Sequence, residues 1–136
     1  MPFDDRILRV YAKRMLRPRN GFAEQGTFFR RNLPGVPKTI RTSVQYRSQS
    51  DENDGTREKR TVIGVFMLKH EGFELDGIVY DGVKLLRKGD LYIRDPKFDC
   101  DERPFSFTGA ILEEGQHYRV AEFQRYSLES VGHGGI

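Results

Sequence analysis

The residues that could act as nucleophile, base or metal ligand are few and scattered. The single cysteine lies in Asp99-Cys100-Asp101-Glu102, where neighbouring carboxylates disfavour the thiolate that a nucleophilic sulfur must present. No serine has a Gly-x-Ser-x-Gly setting, the strained elbow that exposes a hydrolase serine. His70, His117 and His133 are far apart and none forms a His-x-x-x-His pair, the helical spacing that converges two imidazoles on zinc. Asp95, Asp99, Asp101 and Glu102 could hold a hard cation. Their spacing departs from a calcium loop, as does that of Asp51-Glu52-Asn53-Asp54-Gly55. The chain contains neither a Gly-rich loop ending in Gly-Lys-Ser/Thr nor a Gly-x-Gly-x-x-Gly after a strand, so no phosphate cradle is encoded. The chain is read as non-enzymatic, with no cofactor and no metal. A metal-dependent enzyme using the 95–102 carboxylates is the weakest alternative.

What remains is electrostatic. The net charge of +3 conceals an asymmetry. Residues 1–47 carry eleven Lys/Arg against three Asp/Glu (+8), and residues 48–136 carry twelve against seventeen (−5). Such polarity suits contact with nucleic acid, or head-to-tail contact between copies. Length and composition set the outer bounds. A chain of 136 residues makes one domain and buries roughly two-thirds of its unfolded surface. One cysteine closes no internal disulfide. No apolar run reaches the ~18–20 residues of a membrane span, and the start has no signal-peptide core. The expectation is a soluble protein of a reducing cytoplasm, without a membrane partner.

The elements that must position these charges are mostly short strands. Residues 3–16 predict an amphipathic helix, with Phe3, Ile7, Tyr11 and Met15 at every fourth position and Leu8 and Ala12 beside them. Arg6, Arg9, Lys13 and Arg14 occupy the other side and Arg17 follows. Pro18 stops the helix and Asn20-Gly21 predicts a turn. From Thr27 onward the period becomes two, with strands expected at 26–31 and 39–46 around a 33–37 loop. Arg47 to Arg60 is fourteen residues without an apolar anchor. It predicts a mobile loop or the tip of a long hairpin, with Arg47, Asp51, Asp54, Arg57, Lys59 and Arg60 as its charged positions. Thr61 to Leu68 reads as a strand buried on both faces. Asp76-Gly77 and Asp81-Gly82 are turn signals. Short extended pieces are expected at 78–80, 83–86, 91–93, 105–112, 117–123 and 126–131, with an acidic loop at 95–104, a turn at 113–115 and a flexible tail at 132–136. The fold class is mostly β, a small barrel or sandwich with one N-terminal amphipathic helix. It is a single domain: a basic helical segment (1–24), a β domain with a long polar loop at 47–60 (25–131), and the tail.

A barrel with exposed aromatics can stack single-stranded bases, and Phe28-Phe29-Arg30-Arg31, with Lys38 and Arg41 nearby, is such a mixture. No signature of sequence-specific readout accompanies it. A cellular small-barrel protein that binds single-stranded nucleic acid is therefore the alternative functional reading.

The C-terminal half carries a family resemblance. Asp81-Gly82-Val83-Lys84-Leu85-Leu86-Arg87-Lys88-Gly89-Asp90-Leu91-Tyr92-Ile93 resembles the DG-x-x-[LI]-x-x-GD-x-x-[VI] strand-turn-strand of tailed-phage head–tail connector proteins, the head-closure or stopper proteins of the neck. Gly115-Gln116-His117-Tyr118-Arg119-Val120 is similar to their G-x-x-Y-x-V hairpin, and Pro104 sits where the family often has a proline. The Arg47–Arg60 stretch is similar to the loop these proteins send toward the central channel. The likeness spans residues 60–130; the second Gly-Asp before the final hairpin is replaced here by Gly109-Ala110. It implies a virion structural protein of the phage neck, made in the host bacterial cytoplasm, that forms a homo-oligomeric ring joining portal and tail around the DNA. Its partners would be copies of itself, neighbouring connector, adaptor and tail proteins, and packaged double-stranded DNA contacted without sequence preference. Under that reading Arg6, Arg9, Lys13, Arg14 and Arg17 meet the neighbouring ring, and the 47–60 charges face the channel or the next ring.

Overall fold

Strands that alternate in polarity must bury one face, and here they do so by closing on themselves. The computed structural model describes residues 5–30, 37–52 and 58–128. Helix α1 (Asp5–Met15) precedes eight strands: β1 (Ala23–Phe29), β2 (Lys38–Glu52), β3 (Glu58–Leu68), β4 (Phe73–Leu75), β5 (Ile78–Tyr80), β6 (Leu91–Ile93), β7 (Phe105–Glu114) and β8 (Tyr118–Leu128). Six of them form a closed antiparallel barrel in the order β1-β2-β3-β8-β7-β6, and β4 and β5 make a separate hairpin. Closure removes most of the exposed sheet edge that an open sheet must guard. Between barrel and sandwich, the chain is a barrel.

The interior is filled by Phe28, Ile40, Ile63, Val65, Met67, Val83, Tyr92, Phe105, Phe107, Ala121 and Phe123, drawn from every barrel strand and the 82–86 connection. The seam between β1 and β6 is short, pairing only Thr27 to Phe29 with Leu91 to Ile93. A buried polar network spans it. Tyr92 is fully buried; its hydroxyl lies 2.5 Å from Thr42 Oγ1 and donates to Glu24 Oε2 at 3.1 Å. Glu24 also accepts from Arg94 and from the Asp95 backbone N–H, so its buried carboxylate is paired with a cation and a peptide dipole. Burial, with the Glu24 charge next in weight, pushes the Tyr92 hydroxyl well above its ordinary pKa and keeps it a donor. Gly26 is the reason the ring fits, because a Cβ there would overlap the Tyr92 hydroxyl and ring carbons.

β3 is buried on both faces from Val62 to Leu68, as its unbroken apolar run predicts. Its outer face carries a second cluster in which Leu8, Ala12 and Leu16 of the helical segment meet Phe66, Leu68, Leu75 and Tyr80. The buried helical stripe is therefore 8-12-16 with Tyr11 and Met15 flanking it. Ile7, expected on the apolar face, is instead 41% exposed. Fully burying each Leu contributes about 1.5–3 kcal/mol. Phe3 and Asp4 lie outside the described residues. Asn20 ends the helix through its side chain: Nδ2 donates to the Arg14 carbonyl at 2.7 Å, and Oδ1 accepts from Phe22 N–H at 2.9 Å. Those carbonyls have no intrahelical partner.

Several local expectations are corrected. β1 starts at Ala23 rather than 26 and stops at Phe29, and residues 31–36, with Arg31 and most of the 33–37 loop, lie outside the described residues. Residues 83–86 are not a strand; they cross from β5 toward β6 and send Val83 and Leu86 into the barrel core. Arg119 holds this crossing by donating to the carbonyls of Val83 and Lys84. Asp76-Gly77 is a true two-residue turn, both residues having positive φ (54° and 78°), the geometry that matches hairpin twist. Asp81-Gly82 is not a hairpin turn. Gly82 is glycine because a Cβ would strike the Leu68 carbonyl, and its N–H donates to the His70 carbonyl. Residues 117–123 and 126–131 are not separate strands, since β8 runs unbroken from Tyr118 to Leu128. β7 continues to Glu114, so the turn begins at Gly115. The 132–136 tail lies outside the described residues.

Two substitutions test the seam. Gly26→Ala is expected to lower unfolding free energy by about 1–3 kcal/mol through overpacking. Tyr92→Phe is expected to lower it by about 1–3 kcal/mol, because Glu24 and Thr42 lose a buried partner. Urea unfolding of both variants checks this, and midpoints equal to wild type would contradict it.

Candidate functional site

The long polar segment is the feature that the structure redefines most. Residues 47–52 and 58–60 are strand, so of the two expectations for this stretch the long hairpin holds and the mobile loop does not. β2 pairs with β3 from Ser43↔Phe66 to Glu52↔Glu58, with a bulge between Tyr46 and Ser48. β3 in turn pairs with β8 from Leu68↔Tyr118 to Glu58↔Leu128. β1 pairs with β2 only as far as Ala23↔Ser43, and β7 pairs with β8 only as far as Ser106↔Gln124. The result is a three-stranded ribbon, β2-β3-β8, that continues past the barrel wall. Arg47 sits at the bulge and is exposed. Asp51 lies in β2 opposite Lys59. Arg60, opposite Ser50, donates from Nε to Gln124 Oε1 at 2.6 Å. Asp54 and Arg57 lie outside the described residues.

The cations of the helical segment stay together. Arg6, Arg9, Lys13, Arg14 and Arg17 are all exposed, because the 8-12-16 stripe takes the side facing the barrel. Lys13 and Arg14 lie in the last turn, where the dipole favours positive charge. Val10, 49% exposed, lies among them. The ribbon charges and the helix charges thus occupy different elements.

Between helix and ribbon runs a groove of about 700 Å³, lined by Tyr11, Arg14, Phe22, Tyr46, Phe66 and Tyr118 among others. Its floor is an aromatic stack, with the Phe66 and Tyr118 rings 5.1 Å apart and 19° from parallel and Tyr11 4.7 Å from Tyr118. Its walls are Phe22 (76% exposed) and Tyr46 (60% exposed). Tyr118 donates to the Glu113 carboxylate, and this bond holds its hydroxyl up at about 12. Exposed aromatic faces beside Arg14 can stack planar or apolar groups. Sequence reading missed this groove: Phe22 follows a turn and Tyr118 lies ninety-six positions away, so nothing local links them. The aromatic-basic run at 28–31 is not part of it. Phe28 is buried in the barrel, and Arg30 pairs with Asp90 at 2.6 Å.

Three of the four 95–102 carboxylates are already committed to internal partners. Asp95 accepts from Gln25 and Lys97 backbone N–H groups, and Asp99 pairs with Arg125 at 3.2 Å. Asp101 binds the Arg103 guanidinium, whose hydrogen bonds hold the carboxyl far below the usual range. Glu102 is exposed. Among the described residues no three His, Cys, Asp or Glu side chains converge as a metal site. Cys100 is exposed and free of disulfide. His70 and His117, far apart in sequence, meet with Nε2 and Nδ1 2.9 Å apart. Burial, then the charges of His117, Lys69 and Lys84, lowers the His70 pKa. Among the described residues no helix is long and apolar enough to cross a membrane.

No family model, no curated protein and no solved structure matches this chain.

The histidine pair has a pH consequence. A histidine whose folded pKa lies below its ordinary 6.5 stays neutral more readily in the folded state, so protons bind preferentially to the unfolded chain. Stability should be intact above 6.5 and fall as pH drops through that value toward the folded pKa. Melting temperatures between pH 7.5 and 5.5 are expected to decline for wild type and to decline less for His70→Asn; equal slopes would contradict the assignment.

Proposed function

We propose that this protein is a non-enzymatic structural protein of the tailed-phage neck, a head-closure ring that joins portal and tail around the DNA channel and helps retain DNA. The observation that carries this reading is the β2-β3-β8 ribbon standing beyond a closed six-stranded barrel. The resemblance noted above implies a small barrel preceded by a short helix, with a long excursion between two early strands, and the ribbon occupies that place. The charge layout supports the same reading. Arg6, Arg9, Lys13, Arg14 and Arg17 form a basic outer face suited to an acidic neighbouring ring or to phosphate. Arg47, Lys59 and Arg60 on the ribbon give sequence-blind phosphate contact, which is reversible with salt. Such a ring would reside in the virion neck and be made in the host bacterium's cytoplasm.

A second reading is favoured by the groove. Phe22 and Tyr46 beside Arg14 make a platform on which a single-stranded nucleic acid could stack, as in a cellular small-barrel binding protein.

One experiment separates the two. Negative-stain microscopy and light scattering of the purified protein, with and without double-stranded DNA, are expected to show rings with a central channel. A strict monomer that binds labelled single-stranded oligonucleotides at micromolar or tighter affinity, with steep salt dependence, would contradict the ring and favour the groove. Shortening the ribbon tests its role. Replacing residues 49–61 by Asn-Gly joins Ser48 to Val62, which are paired, through a two-residue hairpin turn. The shortened protein is expected to keep its barrel by circular dichroism and to lose retention of double-stranded DNA; full retention would remove the ribbon from the mechanism.

A further inference from the structure

We propose that His70 and His117 form a binding site for a divalent transition metal of the zinc class, two imidazoles sharing one ion where β3 ends and β8 begins. The two histidines are 47 positions apart in sequence, and the fold brings them to one place. β3 and β8 pair as far as Leu68↔Tyr118, so His70 stands just after the end of one strand and His117 just before the start of the other. Backbone bonds continue past the strand ends. Lys69 N–H donates to the His117 carbonyl at 3.0 Å, and Gly82 N–H donates to the His70 carbonyl at 2.9 Å. Lys69 Nζ donates to the Gly115 carbonyl at 2.9 Å and pairs with Glu114 at 2.7 Å, tying the turn before His117 to the segment that carries His70. Both ligating groups thus sit on backbone held from outside the site, as a preorganised metal site requires.

The rings are spaced as two ligands of one ion would be. His70 Nε2 and His117 Nδ1 are 2.9 Å apart, with ring centroids 5.1 Å apart and planes 40° from parallel. Two imidazoles on one tetrahedral zinc, with Zn–N bonds of about 2.0–2.1 Å, hold their nitrogens roughly 3.3 Å and their ring centres roughly 5 Å apart. The centroids already match, so turning the rings in place opens the few tenths of an ångström that the ion needs. Binding replaces the imidazole–imidazole hydrogen bond by two metal–nitrogen bonds. The proton of that hydrogen bond moves to the other nitrogen of its own ring, which keeps both imidazoles neutral. Imidazole selects zinc, copper and nickel over magnesium and calcium. Water completes the coordination, since no third His, Cys, Asp or Glu converges there among the described residues. The ion also has a way in. His70 lines an open cleft of about 570 Å³ with Lys69, Glu71, Phe73, Glu74 and Lys84, whereas His117 is buried. Two lysines and two glutamates leave that lining formally neutral. The lysines that lower the His70 pKa also oppose a dication, which, with only two protein ligands, puts the affinity in the micromolar range.

The site goes beyond the ring reading and stands without it. Zinc chloride titrated into the full chain in a calorimeter is expected to bind at one ion per chain, and magnesium and calcium chloride are expected to give no binding. Cys100 and His133 are further zinc ligands by residue type, so C100S/H133A provides the background and should bind zinc as wild type does. In that background H70A and H117N should each weaken zinc binding at least tenfold. Zinc at roughly ten times its Kd should raise the melting temperature of the background by about 3–8 °C and leave that of H70A unmoved. If burial of His117 makes H117N unfold, as circular dichroism would show, the wild-type chain still decides the matter. Its ring-nitrogen NMR spectrum is expected to show zinc shifting both His70 Nε2 and His117 Nδ1. Four results overturn the site: no binding to wild type up to millimolar zinc, loss of binding in C100S/H133A, H70A binding as tightly as its background, or a ring shift confined to His70.

Discussion

Strand β3 has no solvent face from Val62 to Leu68, and the rest of the molecule is arranged around that constraint. Ile63, Val65 and Met67 fill the barrel, while Phe66 and Leu68 must be covered from outside by the helical segment and the β4–β5 hairpin. Covering the outer face fixes the helix by Leu8, Ala12 and Leu16, and so turns its cations outward. The same strand, continued to Glu58, is the middle of the projecting ribbon. One apolar run thereby sets the core and the basic face, and leads into the ribbon.

The barrel closes at a seam that hydrogen bonding along β1 and β6 alone would hold weakly. Tyr92, Glu24, Thr42 and Arg94 cross it with a fully partnered buried network. Buried polar groups are costly when unmatched, so the network resists slippage of β1 against β6. The 95–103 loop is pinned in the same manner, by carboxylates capping its own backbone and by Arg103 and Arg125. Asp99 and Asp101, cation ligands by residue type, instead stabilise a turn-rich connection.

Much of the fold was legible because it is written in local pattern. The buried 61–68 strand, the Asp76-Gly77 turn, the helix and the mostly-β class all follow from apolar periodicity or turn chemistry. The failures share a cause, which is that a tertiary partner replaces the local signal. Residues 47–52 and 58–60 are strands held by their backbone ladder without apolar anchors, so no alternation marks them. Gln124-Arg125 resembles a break, but Arg125 lies 4.3 Å over the Phe105 ring and the strand continues. Two i,i+4 rows, 7-11-15 and 8-12-16, compete for the helix face, and only the shape of the outer cluster chooses the second. The groove involves residues far apart in sequence and left no local trace.

The central claim is the proposed ring of copies around DNA, and the mass and shape of the purified protein report it directly. Light scattering over a concentration series, with negative-stain microscopy of the same samples, should show a defined multimer with a central channel. A protein that stays monomeric at every concentration, with and without double-stranded DNA, would contradict the account.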